Sequence, residues 1–226
     1  MSAFADPGRL YFFFDYISHN AYLAWHRMPA LAQRHGLALT PVPVLFGAML
    51  SHYKQVGPAE LPAKSRWMLL NVLRKAKLHD IPIAPPASHP FNPLVALRAT
   101  CAIESEADRL RAVDRIFRAT WAESRAVDRA DTVRELLGEL GLPADALMAA
   151  SQADAVKQRL RDSTQQALDQ GVFGVPTMAA RGQLFWGFDD LPYFEAFLEG
   201  RDVLAAPDAA LAAWNDVRPS IERRRS

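Results

Sequence analysis

The stretch Gly171-Val172-Phe173-Gly174-Val175-Pro176-Thr177-Met178-Ala179-Ala180, continued by Arg181-Gly182 and Gln183-Leu184-Phe185-Trp186, decides how this chain is read. Two short apolar runs on either side of an Arg-Gly turn predict a β-hairpin. They follow a long stretch whose apolar residues recur at helical spacing, so the pattern changes here. A helix is expected from residue 189 or 190 to residue 198, with acidic residues in its first turn and Gly200 just past its end.

The other end of the chain completes the pattern. Leu10-Tyr11-Phe12-Phe13-Phe14-Asp15-Tyr16 reads as a buried strand that runs through Ile17 into Ser18-His19-Asn20-Ala21-Tyr22-Leu23, where a helix begins. That helix is predicted over residues 19–34, kinked by Pro29 and stopped by Gly36. Residues 37–46 read as a strand in which Pro41 and Pro43, two positions apart, leave both missing N–H donors on one side. Such a strand pairs on one flank only and belongs at a sheet edge. Residues 47–170 read almost wholly as helices, broken at 58–62, 82–93 and Pro143, with periodic runs at 94–107, 110–122, 132–140, 143–150 and 153–168. Strand, helix, strand, helical insert, strand, strand, helix is an α/β order. It predicts a thioredoxin-like four-stranded mixed sheet from residues 10–46 and 171–200. An all-helical insertion at 47–170 lies between its βαβ and ββα units, and the last helix of the insertion packs back on the sheet. Residues 201–226 form a C-terminal helix and a solvated tail ending Glu222-Arg223-Arg224-Arg225-Ser226.

Composition narrows the function classes. The 226 residues, half of them hydrophobic, suffice for a sizeable core. A net charge of +1 advertises neither a nucleic-acid nor a membrane partner, which leaves a small molecule as the expected ligand. The single cysteine, Cys101, has no partner for an intramolecular disulfide and sits in an apolar helical run, so it reads as a small buried hydrophobe. Residues 1–9 have no apolar h-region, and no uncharged run approaches membrane-spanning length; a soluble, cytoplasmic protein is expected. The histidines show no metal-ligand spacing, and Trp25, Trp67, Trp121 and Phe117 fit helix packing, with Trp67 and residues 68–70 placed to roof a pocket.

Chemistry is expected at the corner where the first strand meets the first helix. A serine N-cap there leaves one hydroxyl and unpaired N–H groups at the carboxyl end of the sheet, a site for an anion. Thioredoxin-like folds carry a reactive Cys-x-x-Cys pair at this corner, and Ser18 stands there instead, an arrangement open to a thiol borrowed from a ligand. By fold order, Val175-Pro176-Thr177 occupies the place of a cis-proline facing that corner. Its Val175 backbone groups are then free to pair with an extended peptide.

With Phe14-Asp15-Tyr16-Ile17-Ser18 and Trp186-Gly187-Phe188-Asp189-Asp190-Leu191, the chain resembles the 2-hydroxychromene-2-carboxylate isomerases, relatives of the kappa-class glutathione transferases in the DsbA-like branch of the thioredoxin superfamily. The resemblance spans residues 10–200. It implies glutathione as cofactor, with Ser18 holding and ionising its sulfur and Lys64 pairing with its glycyl carboxylate. Val175 and the cis Pro176 would grip the cysteinyl part, and Trp186, Gly187, Phe188 and Asp189 the γ-glutamyl end. It also implies a homodimer and a reaction that turns 2-hydroxychromene-2-carboxylate-type hemiketal acids into trans-o-hydroxybenzylidenepyruvates through a glutathione thiolate adduct. Asn92 resembles a family asparagine near the pocket.

Two positions depart from the family pattern. His19 and Asn20 stand where Pro and an aromatic commonly follow the serine, and Phe188 stands where kappa transferases tend to have serine. His19 is read as a solvated first-turn residue, with substrate binding or acid–base work near its ordinary pKa of about 6.5 as the functional alternative. A kappa-like transferase or peroxidase at the same site, and a non-catalytic thioredoxin-fold binding module, are the competing readings of the whole.

Overall fold

The structure, a computed structural model, describes residues 4–204, 207–212 and 214–218; the basic tail at 222–226 lies outside them. Strand β1 (Arg9–Phe14) is the centre of the molecule, flanked by β2 (Ala38–Pro43) in parallel and β3 (Thr177–Ala180) antiparallel; β4 (Gln183–Trp186) pairs with β3, giving the order β2-β1-β3-β4. The apolar run of β1 has no polar alternation because both faces are covered. Leu10, Phe12 and Phe14 enter one core cluster, while Tyr11 and Phe13 enter a second on the opposite face, the period of two a strand dictates. The fold is the thioredoxin-like mixed sheet that the sequence order predicts.

β2 lies at the sheet edge, as its prolines require. Ala38 N–H donates to Gly8 O (2.8 Å) and Val44 N–H to Phe14 O (3.0 Å), so even-numbered amides face β1 and Pro41 and Pro43 face outward.

Helix boundaries differ from the sequence reading in instructive ways. Residues 19–34 form two helices, α1 (His19–Trp25) and α2 (Met28–Arg34), with the break at His26 and Arg27. Pro29 falls in the first turn of α2, where a missing N–H costs nothing, so it starts a helix and does not kink one. The second predicted strand ends at Pro43, and α3 (Phe46–His52) begins at once because the Asp15 carboxylate accepts the Phe46 N–H at 3.0 Å. α4 (Pro62–Leu78) is followed by α5 (Leu94–Ala102) and α6 (Glu106–Trp121), separated by an extended Ile103 and an N-cap at Ser105, whose hydroxyl accepts from Asp108 N–H at 3.3 Å. The predicted division at residues 107–110 came from apolar periodicity and overlooked that cap. α7 (Ala130–Glu139), α8 (Ala144–Ala150) and α9 (Asp154–Asp169) lead back to the sheet. The predicted strand from Gly171 is ordered as β3 only from Thr177, since residues 171–176 form a loop that the Thr177 hydroxyl ties to Gly174 O at 2.8 Å. α10 (Leu191–Leu198) and α11 (Pro207–Ala212) complete the chain.

One side chain fastens the helices to the corner. Phe117 of α6 is fully buried, with ring centroids 5.4 Å from Phe14, 4.9 Å from Tyr16 and 6.2 Å from Trp25. The Tyr16 hydroxyl meets the Thr100 hydroxyl of α5 at 2.7 Å, and Trp121 Nε1 donates to Tyr16 O at 2.9 Å. Trp121, the last residue of α6, is thereby brought beside the end of β1.

Candidate active site

Ser18 caps α1 with extended backbone, its Oγ accepting the Ala21 N–H at 3.2 Å and donating to Val175 O at 3.4 Å. The second bond is long, near the limit for a hydrogen bond, so its proton is easily turned toward a better acceptor. Two of the expected site residues, 157 positions apart, are thus in contact. The Val175–Pro176 peptide is cis. Among the described residues the Val175 N–H has no hydrogen-bond partner, and neither do the His19 and Asn20 N–H groups at the start of α1.

The loop facing Ser18 is braced from β4. Gly187, at φ +86°, donates its N–H to Pro176 O at 2.8 Å, and Trp186 N–H donates to the Asp190 carboxylate at 2.9 Å. A Cβ on Gly174 would lie 2.7 Å from Trp186 Nε1, so glycine is needed for that indole to pass. Trp186 and Phe173 keep half-exposed rings 5.0 Å apart beside the loop.

Behind the corner lies Asp15, buried and one of the few buried charged residues. Its carboxylate accepts from Ile17 N–H at 3.2 Å and from Phe46 N–H at 3.0 Å, fixing both the turn into Ser18 and the start of α3. Burial pushes its pKa up to about 7 against the pull of those two donors. An acidic residue inside an aromatic strand run was the available sequence signal for this role.

His19 is buried, contrary to the solvated reading. Its ring is enclosed by Trp121 at 5.6 Å and His89 at 6.0 Å, which are themselves 5.5 Å apart, and His89 Nε2 lies 3.2 Å from Ile17 O. The His19 Nδ1 is sealed from solvent without a partner. Burial, then the neighbouring His89 and Lys75, lower its pKa to about 4, so this imidazole is neutral at pH 7 and does not titrate near its ordinary value. The burial depends on α6 and the loop before α5, which no local pattern around residue 19 reports.

The turn after β4 brings in a residue that no local sequence pattern singles out. Lys75, late in α4, makes an ion pair with Asp189 at 2.8 Å and sits 5.4 Å above the Phe188 ring. Phe188 itself is buried, with His79 against its edge at 5.1 Å. Lys64 stands in the first turn of the same helix, exposed and without a hydrogen bond or ion pair among the described residues. It precedes Lys75 by eleven positions, about 16 Å along the helix axis. Asn92 is exposed, and its side chain accepts the Leu94 N–H at 3.1 Å to start α5. Among the described residues it forms no hydrogen bond with Ser18, whereas His89, three residues earlier, reaches the corner through Ile17 O. Cys101 is buried, with its thiol pKa raised to about 11 by burial, and is suited only to packing. Trp67, expected to pack, is exposed, unlike Trp25 and Trp121.

The sheet order and the place of the cis-proline loop are those of a thioredoxin-like fold, and the family model of the DsbA-like thioredoxin domain matches residues 9–199. The chain belongs to the DsbA-like thioredoxin family. Within it, this DsbA-like chain is 31% identical over 191 residues to the 2-hydroxychromene-2-carboxylate isomerase of Sphingobium xenophagum, covering 83% of this chain and 96% of that one. It is 29% identical over 194 residues to the enzyme of the same name from Pseudomonas sp. (strain C18), covering 85% and 91%. Identity to glutathione S-transferase kappa 1 of Caenorhabditis elegans is 27% over 178 residues, or 74% and 78% of the two chains. A solved 2-hydroxychromene-2-carboxylate isomerase superposes with a TM-score of 0.78 at 28% identity, covering 89% of this chain and 98% of that one. This DsbA-like protein is therefore a member of the 2-hydroxychromene-2-carboxylate isomerase family of enzymes.

Proposed function

We propose that the protein is a glutathione-dependent isomerase of 2-hydroxychromene-2-carboxylate-type acids. The observation that carries this reading is the contact between the Ser18 hydroxyl and Val175 O, across a corner without cysteine. A hydroxyl donor, a free Val175 N–H and an exposed carboxylate at Asp189 suit a thiol-bearing peptide with a free amino end. Glutathione, when bound, supplies the nucleophilic sulfur that the chain lacks.

The residues divide the work as follows. Ser18 turns its proton from Val175 O to the sulfur, and a thiol whose ordinary pKa is about 8.5 is thereby favoured as thiolate. Val175 offers its N–H and C=O to the cysteinyl backbone in the manner of an added strand. The Trp186-Gly187-Phe188 turn and Asp189 receive the γ-glutamyl end, and Lys64 the glycyl carboxylate. Exposed His89, backed by the buried rings of His19 and Trp121, offers an aromatic surface near Ser18 against which a planar substrate packs. No redox change occurs, and the cofactor is recovered. Turnover of 2-hydroxychromene-2-carboxylate with glutathione at a tenth of the substrate concentration tests the reading: complete conversion is expected, and conversion that stops when glutathione is exhausted would establish a conjugating enzyme. That second reading is favoured by the kappa-class relatives. No glutathione-dependent turnover of either kind would leave a binding module.

The protein is further proposed to act as a homodimer through α4. That helix buries Val72 and Ala76 yet exposes Trp67, Leu69, Leu70, Leu73 and Leu78, a concentration of large apolar side chains of the kind that marks an interaction surface. Sedimentation equilibrium should give a dimer for the wild type and a monomer for Leu73→Glu; a monomeric wild type would refute it.

A further inference from the structure

Lys75 and Asp189 make an unequal pair. The lysine side chain keeps only 12% of its exposure and the aspartate 77%, although their charged atoms are 2.8 Å apart. Asp189 is therefore free to take another partner, while Lys75 is held by its helix and by the face of Phe188 at 5.4 Å. An ion pair with one partner in water contributes little, so a second ammonium displaces the first at small cost. A cation left in a half-dry site without its anion is, by contrast, unfavourable until another anion arrives. The place where it would arrive is beside the reacting corner: Phe188 joins Lys75 to the turn after β4, and the charge of Lys75 is felt at His19, next to Ser18. The substrate class carries a carboxylate, and Lys75 is a partly buried cation whose charge reaches this corner.

We propose that Lys75 and Asp189 form an exchange pair: a γ-glutamyl ammonium takes Asp189, and the Lys75 ammonium so released becomes the anchor for the carboxylate of an aromatic acid. The inference rests on the glutathione reading of the site and adds to it a substrate-binding residue and an order of binding. Without the peptide, Lys75 is neutralised by Asp189 and the site has little affinity for an anion. With it, the site demands one. Coupling between two ligands is reciprocal, so the aromatic acid tightens the peptide by the same factor. No bond is made or broken in the exchange, which makes it accessible to binding measurements with unreactive probes.

Calorimetric titration with S-methylglutathione and trans-cinnamate, and with cinnamamide as the uncharged control, tests it. For the wild type we expect S-methylglutathione to tighten cinnamate at least about fivefold, the lower end of ordinary coupling, and to leave cinnamamide unchanged. Lys75→Gln should abolish the coupling while binding S-methylglutathione no more weakly, and Lys75→Arg should restore it. Asp189→Asn should weaken S-methylglutathione and remove the coupling as well. Absence of coupling in the wild type, or coupling that survives in Lys75→Gln, overturns the exchange. Thermal unfolding of each variant guards against reading a folding defect as lost coupling, with Lys75→Arg as the folded reference. The two readings fail separately. Coupling without turnover of 2-hydroxychromene-2-carboxylate sinks the isomerase function and keeps the exchange, and turnover without coupling does the reverse.

Discussion

Ser18→Ala should lower glutathione-dependent kcat/KM about a hundredfold while leaving the protein folded. The magnitude follows from losing one positioned donor to a developing negative charge, a change that typically costs two to three orders of magnitude in rate. The same oxygen accepts the Ala21 N–H, so the variant also loses a helix cap worth about 1 kcal/mol. That is too small to unfold a domain of this size and is separable by thermal unfolding. Ser18→Thr keeps both hydroxyl functions and should retain most of the rate. The pH profile supplies a further check: if Ser18 favours the thiolate, the ascending, acid-side limb of the rate should move to higher pH in Ser18→Ala. Unchanged kcat/KM with an unchanged profile would remove Ser18 from the mechanism.

The second large effect concerns stability. Asp15 holds its proton up to a pKa of about 7 in the folded protein and releases it near 3.8 when exposed. Between those values the folded state binds the extra proton, so stability attributable to this group is complete below about pH 4 and is lost as pH rises through 7. By pH 8 the loss amounts to about 4 kcal/mol. Asp15→Asn removes the ionisation and carries instead a pH-independent cost, because its NH2 opposes either the Ile17 or the Phe46 N–H. Denaturant unfolding of both proteins from pH 4 to 8 should show the stability advantage of the wild type shrinking as pH rises. A gap that stays flat or widens would mean that Asp15 is ionised throughout.

How much of this was legible in the sequence depended on the reach of each interaction. The two-sided burial of β1, the edge position of β2 and the hairpin at residues 177–186 follow from patterns within a few residues, and the fold order followed from them. Pro29 was misplaced because proline punctuates a helix at its start as readily as in its middle, and only the backbone path distinguishes the two. The serine at residue 18 and the cis-proline loop were readable because fold order sets them face to face. Lys75 was not, since its partner Asp189 lies 114 positions away and nothing in α4 marks one lysine above another. The environment of His19 was likewise invisible: it is made by Trp121 and His89, which arrive only after α6 has packed on Phe14 and Tyr16.

The outward-facing prolines of β2 have a consequence for the molecule in a crowded solution. An unprotected strand edge offers a row of donors and acceptors to any other chain, and is a template for aggregation. Along this edge the donors at residues 41 and 43 are missing, so the carbonyls of an incoming strand find no N–H to accept from. Only the β4 side remains open to extension. The β2 flank of the sheet is thus guarded against pairing with a second chain.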